Sequence, residues 1–85
     1  MIVTRREDVK AARELGKLLK LLRKGAGLSQ EELAERVGCS RTYPSLLELG
    51  KRTPKLFMFI RISHALGMNA ATLFKMVERR LEVSQ

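Results

Sequence analysis

The run LSQEELAERVGCSRTYPSLLELGK, residues 28–51, holds the signals that decide the fold. Ser29 is followed three positions later by Glu32, the capping-box pattern in which a hydroxyl and a carboxylate each satisfy an orphan backbone N–H at a helix start. A helix therefore begins near Gln30. Leu33, Ala34 and Val37 then fall at helical spacing, and Gly38 supplies the left-handed residue on which a helix ends cheaply. Ser40 is placed to cap a second helix, which carries Tyr43, Leu46 and Leu47 and stops at Gly50. Two short helices joined by a glycine turn form a helix-turn-helix unit, whose second helix fits the major groove of DNA. Double-stranded DNA is thus the leading ligand class.

The composition agrees. The chain has 85 residues, enough for one small domain with a modest core and no room for a sensor or catalytic domain beside it. Lys and Arg number 17 against 9 Asp and Glu, a net charge of +8 that favours a polyanionic partner through counterion release. An acidic membrane surface ranks below nucleic acid, because no apolar run approaches the roughly 18–20 residues needed to span a bilayer. The cations are also not confined to one helix. Arg5 and Arg6 lead into charged sequence instead of the apolar segment of a signal peptide, so the expected location is cytoplasmic.

Catalysis finds no support in the residue types present. Cys39 is the single cysteine and His64 the single histidine, which excludes an internal disulfide and leaves no ligand set for a metal. Cys39 sits at the turn between the two helices, where a small apolar residue plugs the corner. His64 is expected as a partly exposed helix residue. No cofactor, small-molecule ligand or catalytic dyad is implied.

Outward from the central unit the pattern stays helical. Residues 1–3 are expected to fray. Thr4 and Glu7 repeat the capping-box signature, and Val9, Ala12, Leu15, Leu19 and Leu22 advance in helical steps, predicting one long helix over roughly residues 5–24. Its other face carries Arg13, Lys17, Lys20 and Lys24, and Gly25 with Gly27 marks its end. Leu18 and Leu21 widen the apolar stripe, toward either another segment of the chain or a partner. After the turn Gly50–Pro54, a fourth helix runs from about Lys55 to Leu66, with Leu56, Phe59, Ile60, Ile62 and Leu66 suited to its buried face. Phe57 and Met58 leave its start apolar all round. Gly67 stops it, and Asn69 caps a fifth helix whose stripe is Leu73, Phe74, Val77 and Leu81. The expected architecture is one all-α domain of five helices with its core over residues 12–78 and flexible termini.

These residues together carry a family resemblance over about residues 15–75. Leu22-Arg23, Gly27-Leu28-Ser29-Gln30-Glu31-Glu32-Leu33-Ala34, then Gly38, Ser40, Glu48, Gly50, Pro54 and Ala65-Leu66-Gly67 resemble, in order, the Cro and phage-repressor helix-turn-helix family, also called the XRE family. The resemblance implies a five-helix lambda-repressor-like fold with the helix-turn-helix at helices 2 and 3. It implies a transcriptional regulator acting as a dimer on a pseudo-palindromic operator, with half-sites about 34 Å apart. Carried over position by position, the base-reading residues are Arg41, Thr42, Ser45 and Leu46. Arg41 suits the O6 and N7 acceptors of guanine, while Thr42 and Leu46 suit a thymine methyl. Gln30, Lys51, Arg52 and, more weakly, Lys55 are the implied phosphate contacts. Arg23 and Glu48 resemble the family's structural ion pair.

Three departures from the family pattern bear on the reading helix. Pro44 stands where an aliphatic residue is usual; it cannot donate a helical hydrogen bond, and it steers Tyr43 toward a tighter opening turn. Leu46 replaces a residue that is often polar, and Leu49 one that often contacts phosphate. Dimerisation is expected through Phe57, Met58, Leu73 and Val77, which exceed one small core's needs. A second reading from another class stays open: a protein-interaction module, antitoxin-like or an anti-regulator, presenting Leu46, Leu49, Phe57 and Met58 to a protein partner.

Overall fold

The computed structural model describes the backbone of residues 5–83 and the side chains of residues 6–82. The expected Thr4 cap and residues 1–3 lie outside the described residues. Five helices follow in order: α1 (Arg5–Gly25), α2 (Gln30–Val37), α3 (Thr42–Glu48), α4 (Leu56–Ala65) and α5 (Ala70–Val83). The described residues contain no strand. The expected boundaries hold at α2, α4 and α5 to within about a residue, and α3 is shorter than the Ser40–Gly50 span suggested.

The turns explain why so short a chain can reverse direction so often. α1, α3 and α4 each end in the same pair of backbone bonds. The N–H groups of Gly27, Gly50 and Gly67 reach the Lys24, Leu47 and His64 carbonyls, and those of Leu28, Lys51 and Met68 reach Arg23, Leu46 and Ser63, all at 2.9–3.1 Å. This is the Schellman closure, which satisfies the orphan carbonyls and turns the chain in two residues. α2 ends on Gly38, in the left-handed region at φ 80, whose N–H bonds the Ala34 carbonyl.

Around one core, α1 packs against α3 and α5, α2 against α3 and α4, and α4 against α5. Leu18, Leu19, Leu28, Leu33, Val37, Leu47, Ile62, Leu66 and Leu73 form its buried cluster. Leu19 and Leu73 are fully buried, and each contributes roughly 1.5–3 kcal/mol of transfer free energy. Leu18 thus belongs to the interior of this chain, whereas Leu21 is 60% exposed. Three other apolar positions depart from expectation, among them Phe74 of the expected α5 stripe, which is 55% exposed. Val9 near the start of α1 and Leu56 at the first position of α4 are both exposed and lie outside the core cluster.

Gly16, mid-helix in α1, has a role that periodicity does not reveal. A Cβ there would collide with the Leu47 carbonyl and lie 2.6 Å from that of Glu48. The missing side chain lets the backbone of α1 rest directly on the last turn of α3.

Candidate nucleic-acid interface

The position of α3 is set mainly by its C-terminal end. Arg23, on the α1 turn that passes Glu48, donates from Nε to Glu48 Oε2 at 2.6 Å and from Nη2 to Oε1 at 3.1 Å. Its Nη1 donates to the Leu28 carbonyl at 2.8 Å. The two side chains are 9% and 5% exposed, so this is a buried pair. Hydrogen bonding to Glu48 outweighs desolvation and raises the Arg23 pKa above its ordinary value, so the guanidinium stays charged.

Gln30 completes the arrangement. Its Nε2 donates to Glu48 Oε1 at 3.0 Å, which ties the first residue of α2 to the last of α3. One carboxylate therefore gathers α1, α2 and α3. No buried side-chain nitrogen or oxygen among the described residues lacks a partner. The family resemblance implies Gln30 as a phosphate contact; its bond to Glu48 is an addition that spacing along the chain could not show.

The N-terminal end of α3 is built differently. Ser40 does not cap it: Ser40 Oγ faces Thr42 Oγ1 at 3.3 Å, and Arg41, already α-helical, precedes the helix without a side-chain cap bond. Pro44 supplies the reason. With no N–H to donate, it leaves the Ser40 carbonyl to the Tyr43 N–H at 3.1 Å, so the helix opens as the tighter turn its sequence implied. Pro44 is only the third residue of α3, where its missing donor costs little, and its ring is buried in the usual aliphatic's place.

Four residues implied as base readers lie along this first turn and the face that follows it. Arg41 and Thr42 are exposed, while Ser45 and Leu46 are half-buried. Arg41 Nη2 sits 3.4 Å from Glu31 Oε2, with the side chains 77% and 54% exposed. An ion pair so open to water is worth at most about 1 kcal/mol, and the guanidinium can leave it at small cost. Lys51, Arg52 and Lys55 are all exposed in the segment after α3.

At the turn between α2 and α3, Cys39 is half-buried against the core. Burial raises its pKa and that of Tyr43, which keeps thiol and phenol protonated at neutral pH. His64 is exposed on α4. Among the described residues no cluster of His, Cys, Asp or Glu could hold a metal ion.

The expected dimer face requires a correction. Leu73 is fully buried and Val77 half-buried, because α5 packs against α1 and α4, and Met58 is half-buried on α4, which packs against α2 and α5. Only Phe57 of the four is broadly exposed, at 76%. Leu56 on α4 and Phe74 on α5 are also exposed. The Phe74 ring meets Phe59 edge-on, with centroids 6.4 Å apart, joining the two helices. No single helix among the described residues is long and apolar enough to cross a membrane.

Known proteins share this arrangement. Residues 14–73 match the helix-turn-helix domain family. A helix-turn-helix-type transcriptional regulator of Methanothermobacter thermautotrophicus is 50% identical over 50 residues, covering 59% of this chain and 72% of that protein. The control protein C.MunI of a Mycoplasma species is 40% identical over 63 residues, covering 74% and 85%. Among solved structures, the clp gene regulator ClgR from Corynebacterium glutamicum has a TM-score of 0.79 at 27% identity, with 87% of this chain and 79% of that one covered. The restriction-modification controller protein C.AhdI from Aeromonas hydrophila has a TM-score of 0.70 at 35% identity, with 74% and 96% covered.

Proposed function

Because this chain belongs to the helix-turn-helix domain family, we propose that it is a sequence-specific transcriptional regulator that binds double-stranded DNA as a homodimer on a pseudo-palindromic operator. The observation that carries this reading is the first turn of α3. Arg41 and Thr42 stand exposed there, on a helix whose other end is locked by the buried Arg23–Glu48 pair. Such a helix is a stiff reader presented at one end, with Lys51 and Arg52 following it to grip the strand. The relatives support the same class, since they are named as transcriptional regulators and a control protein, and we read the chain as a DNA-binding regulator of the cytoplasm and not as an enzyme.

Arg41 is assigned to guanine, Thr42 and Leu46 to a thymine methyl, and Ser45 to a base edge or a phosphate. Gln30, Lys51 and Arg52 take phosphates, with Lys55 beside them. The dimer face is assigned to Phe57 with Leu56 and Phe74, in place of Leu73, Met58 and Val77. Selecting bound duplexes from a random pool at physiological salt tests the whole reading, and an enriched palindrome is expected. Arg52→Glu should weaken binding on every duplex, whereas Arg41→Ala should mainly relax base preference; equal losses on operator and random DNA for both changes would contradict the assignment. Sedimentation with and without operator should show a dimer that Phe57→Glu dissociates.

Exposure of Leu49 at 61% and of Phe57 at 76% favours one alternative, a contact with a different protein. Salt separates the two, because DNA binding weakens steeply with ionic strength and an apolar contact does not. A selection without enrichment, together with salt-insensitive binding, would favour the alternative.

A further inference from the structure

Cations line one face of α1 along almost its whole length. Arg6, Lys10, Arg13, Lys17, Lys20 and Lys24 recur at steps of three and four, and every one is exposed. Lys17 bonds Glu14 at 3.2 Å across one turn. The family match begins at residue 14, so Arg6 and Arg13 precede the matched residues.

The first turns of α1 run alongside the loop that follows α3. Gly50, at φ +74, has no room for a side chain, because a Cβ would lie 2.9 Å from Arg13 Cα and 3.1 Å from its nitrogen. Farther toward the start of α1, Val9 and Ala12 face Lys51 and Arg52 across an open cleft of about 460 Å³. Asp8 also borders this cleft, but helical spacing puts it on a different flank from Arg6 and Arg13. A rigid cationic rod is therefore fixed against the loop assigned to phosphate. Like charges so placed repel one another in the free protein and gain most from a shared polyanion.

We propose that the first turns of α1 are a second phosphate-gripping element, in which Arg6 and Arg13 engage the duplex backbone next to the phosphates held by Lys51 and Arg52. The element lengthens the footprint without reading bases. It rests on the DNA-binding reading above, and it commits the α1 stripe to DNA and not to an acidic protein.

The test compares the full chain with Arg6→Gln/Arg13→Gln and with Arg52→Gln on the selected duplex, following affinity as salt is raised. Each phosphate that the protein no longer neutralises lowers the slope of log affinity against log salt by about 0.9, so the double variant should lower it by about two. Ethylation interference on the unaltered protein should mark phosphates adjoining those whose mark disappears in Arg52→Gln. Arg13 touches the loop, so melting temperature is measured alongside; should the double variant melt early, Arg6→Gln alone should still lower the slope by about 0.9. An unchanged slope in the α1 variants, with a lowered one in Arg52→Gln, overturns this inference and leaves the regulator reading standing. Binding by the unaltered protein that ignores salt overturns both.

Discussion

At its C-terminal end α3 is gripped from three directions: Arg23 and Gln30 converge on Glu48, Gly16 admits the α1 backbone, and a Schellman closure turns the chain away. At its N-terminal end the same helix has no side-chain cap, and Arg41 is held only by an open pair with Glu31. The contrast shows how a helix of seven residues, far too short to persist alone, can be both fixed and available. Tertiary contacts supply rigidity at one end, which frees the other for a ligand.

Glu48→Ala attacks the gripped end most directly. It leaves Arg23 charged and buried without its carboxylate, an expected loss of about 3–5 kcal/mol in urea unfolding. A loss below about 1 kcal/mol, the range of exposed pairs, would mean that the two ends differ less than the geometry implies. Gly16→Ala comes next. Forcing a methyl group against two carbonyls should cost about 1–3 kcal/mol, more than the roughly 1 kcal/mol by which alanine favours a helix. A stabilised variant would show that α1 can stand off from α3.

At the other end, Arg41→Ala should change stability by no more than about 0.5 kcal/mol, while discrimination at one base pair falls by about 1–3 kcal/mol. Equal effects on folding and on recognition would erase the distinction. Acid sharpens the comparison by a smaller step. Hydrogen bonds with Ser29 hold the Glu32 carboxyl below its ordinary range, and those of Lys17 and Arg80 do the same for Glu14. A carboxylate lowered in the folded state stabilises fully above its unfolded pKa, and that contribution fades as pH falls through the lowered value. Melting temperature should therefore decline below the ordinary carboxylate range, and Glu32→Gln should flatten the decline. An unaltered profile would place the acid sensitivity elsewhere than the start of α2.

Much of the architecture was legible because its signals are local. The Ser29–Glu32 box forms as its spacing implies, with bonds of 3.0 Å in both directions. Asn69 Oδ1 accepts from the Thr72 N–H at 2.8 Å, as a cap at that position must. The Arg23–Glu48 pair, 25 residues apart, was available only through family resemblance. Ser40 misled, since its cap depended on how Pro44 would reshape the opening turn. Leu73 misled for another reason: a helical stripe shows which side of α5 is apolar, not whether this chain already covers it.

Periodicity, caps and left-handed glycines are consequences of bonds among neighbours a few positions apart, so the order of residues alone determined five helices, their turns and a basic chain suited to a polyanion. Which apolar face remains uncovered, why Gly16 must lack a side chain and how one carboxylate joins three helices were decided only when distant segments met. Those properties depend on distances across the fold, for which spacing along the chain holds no measure.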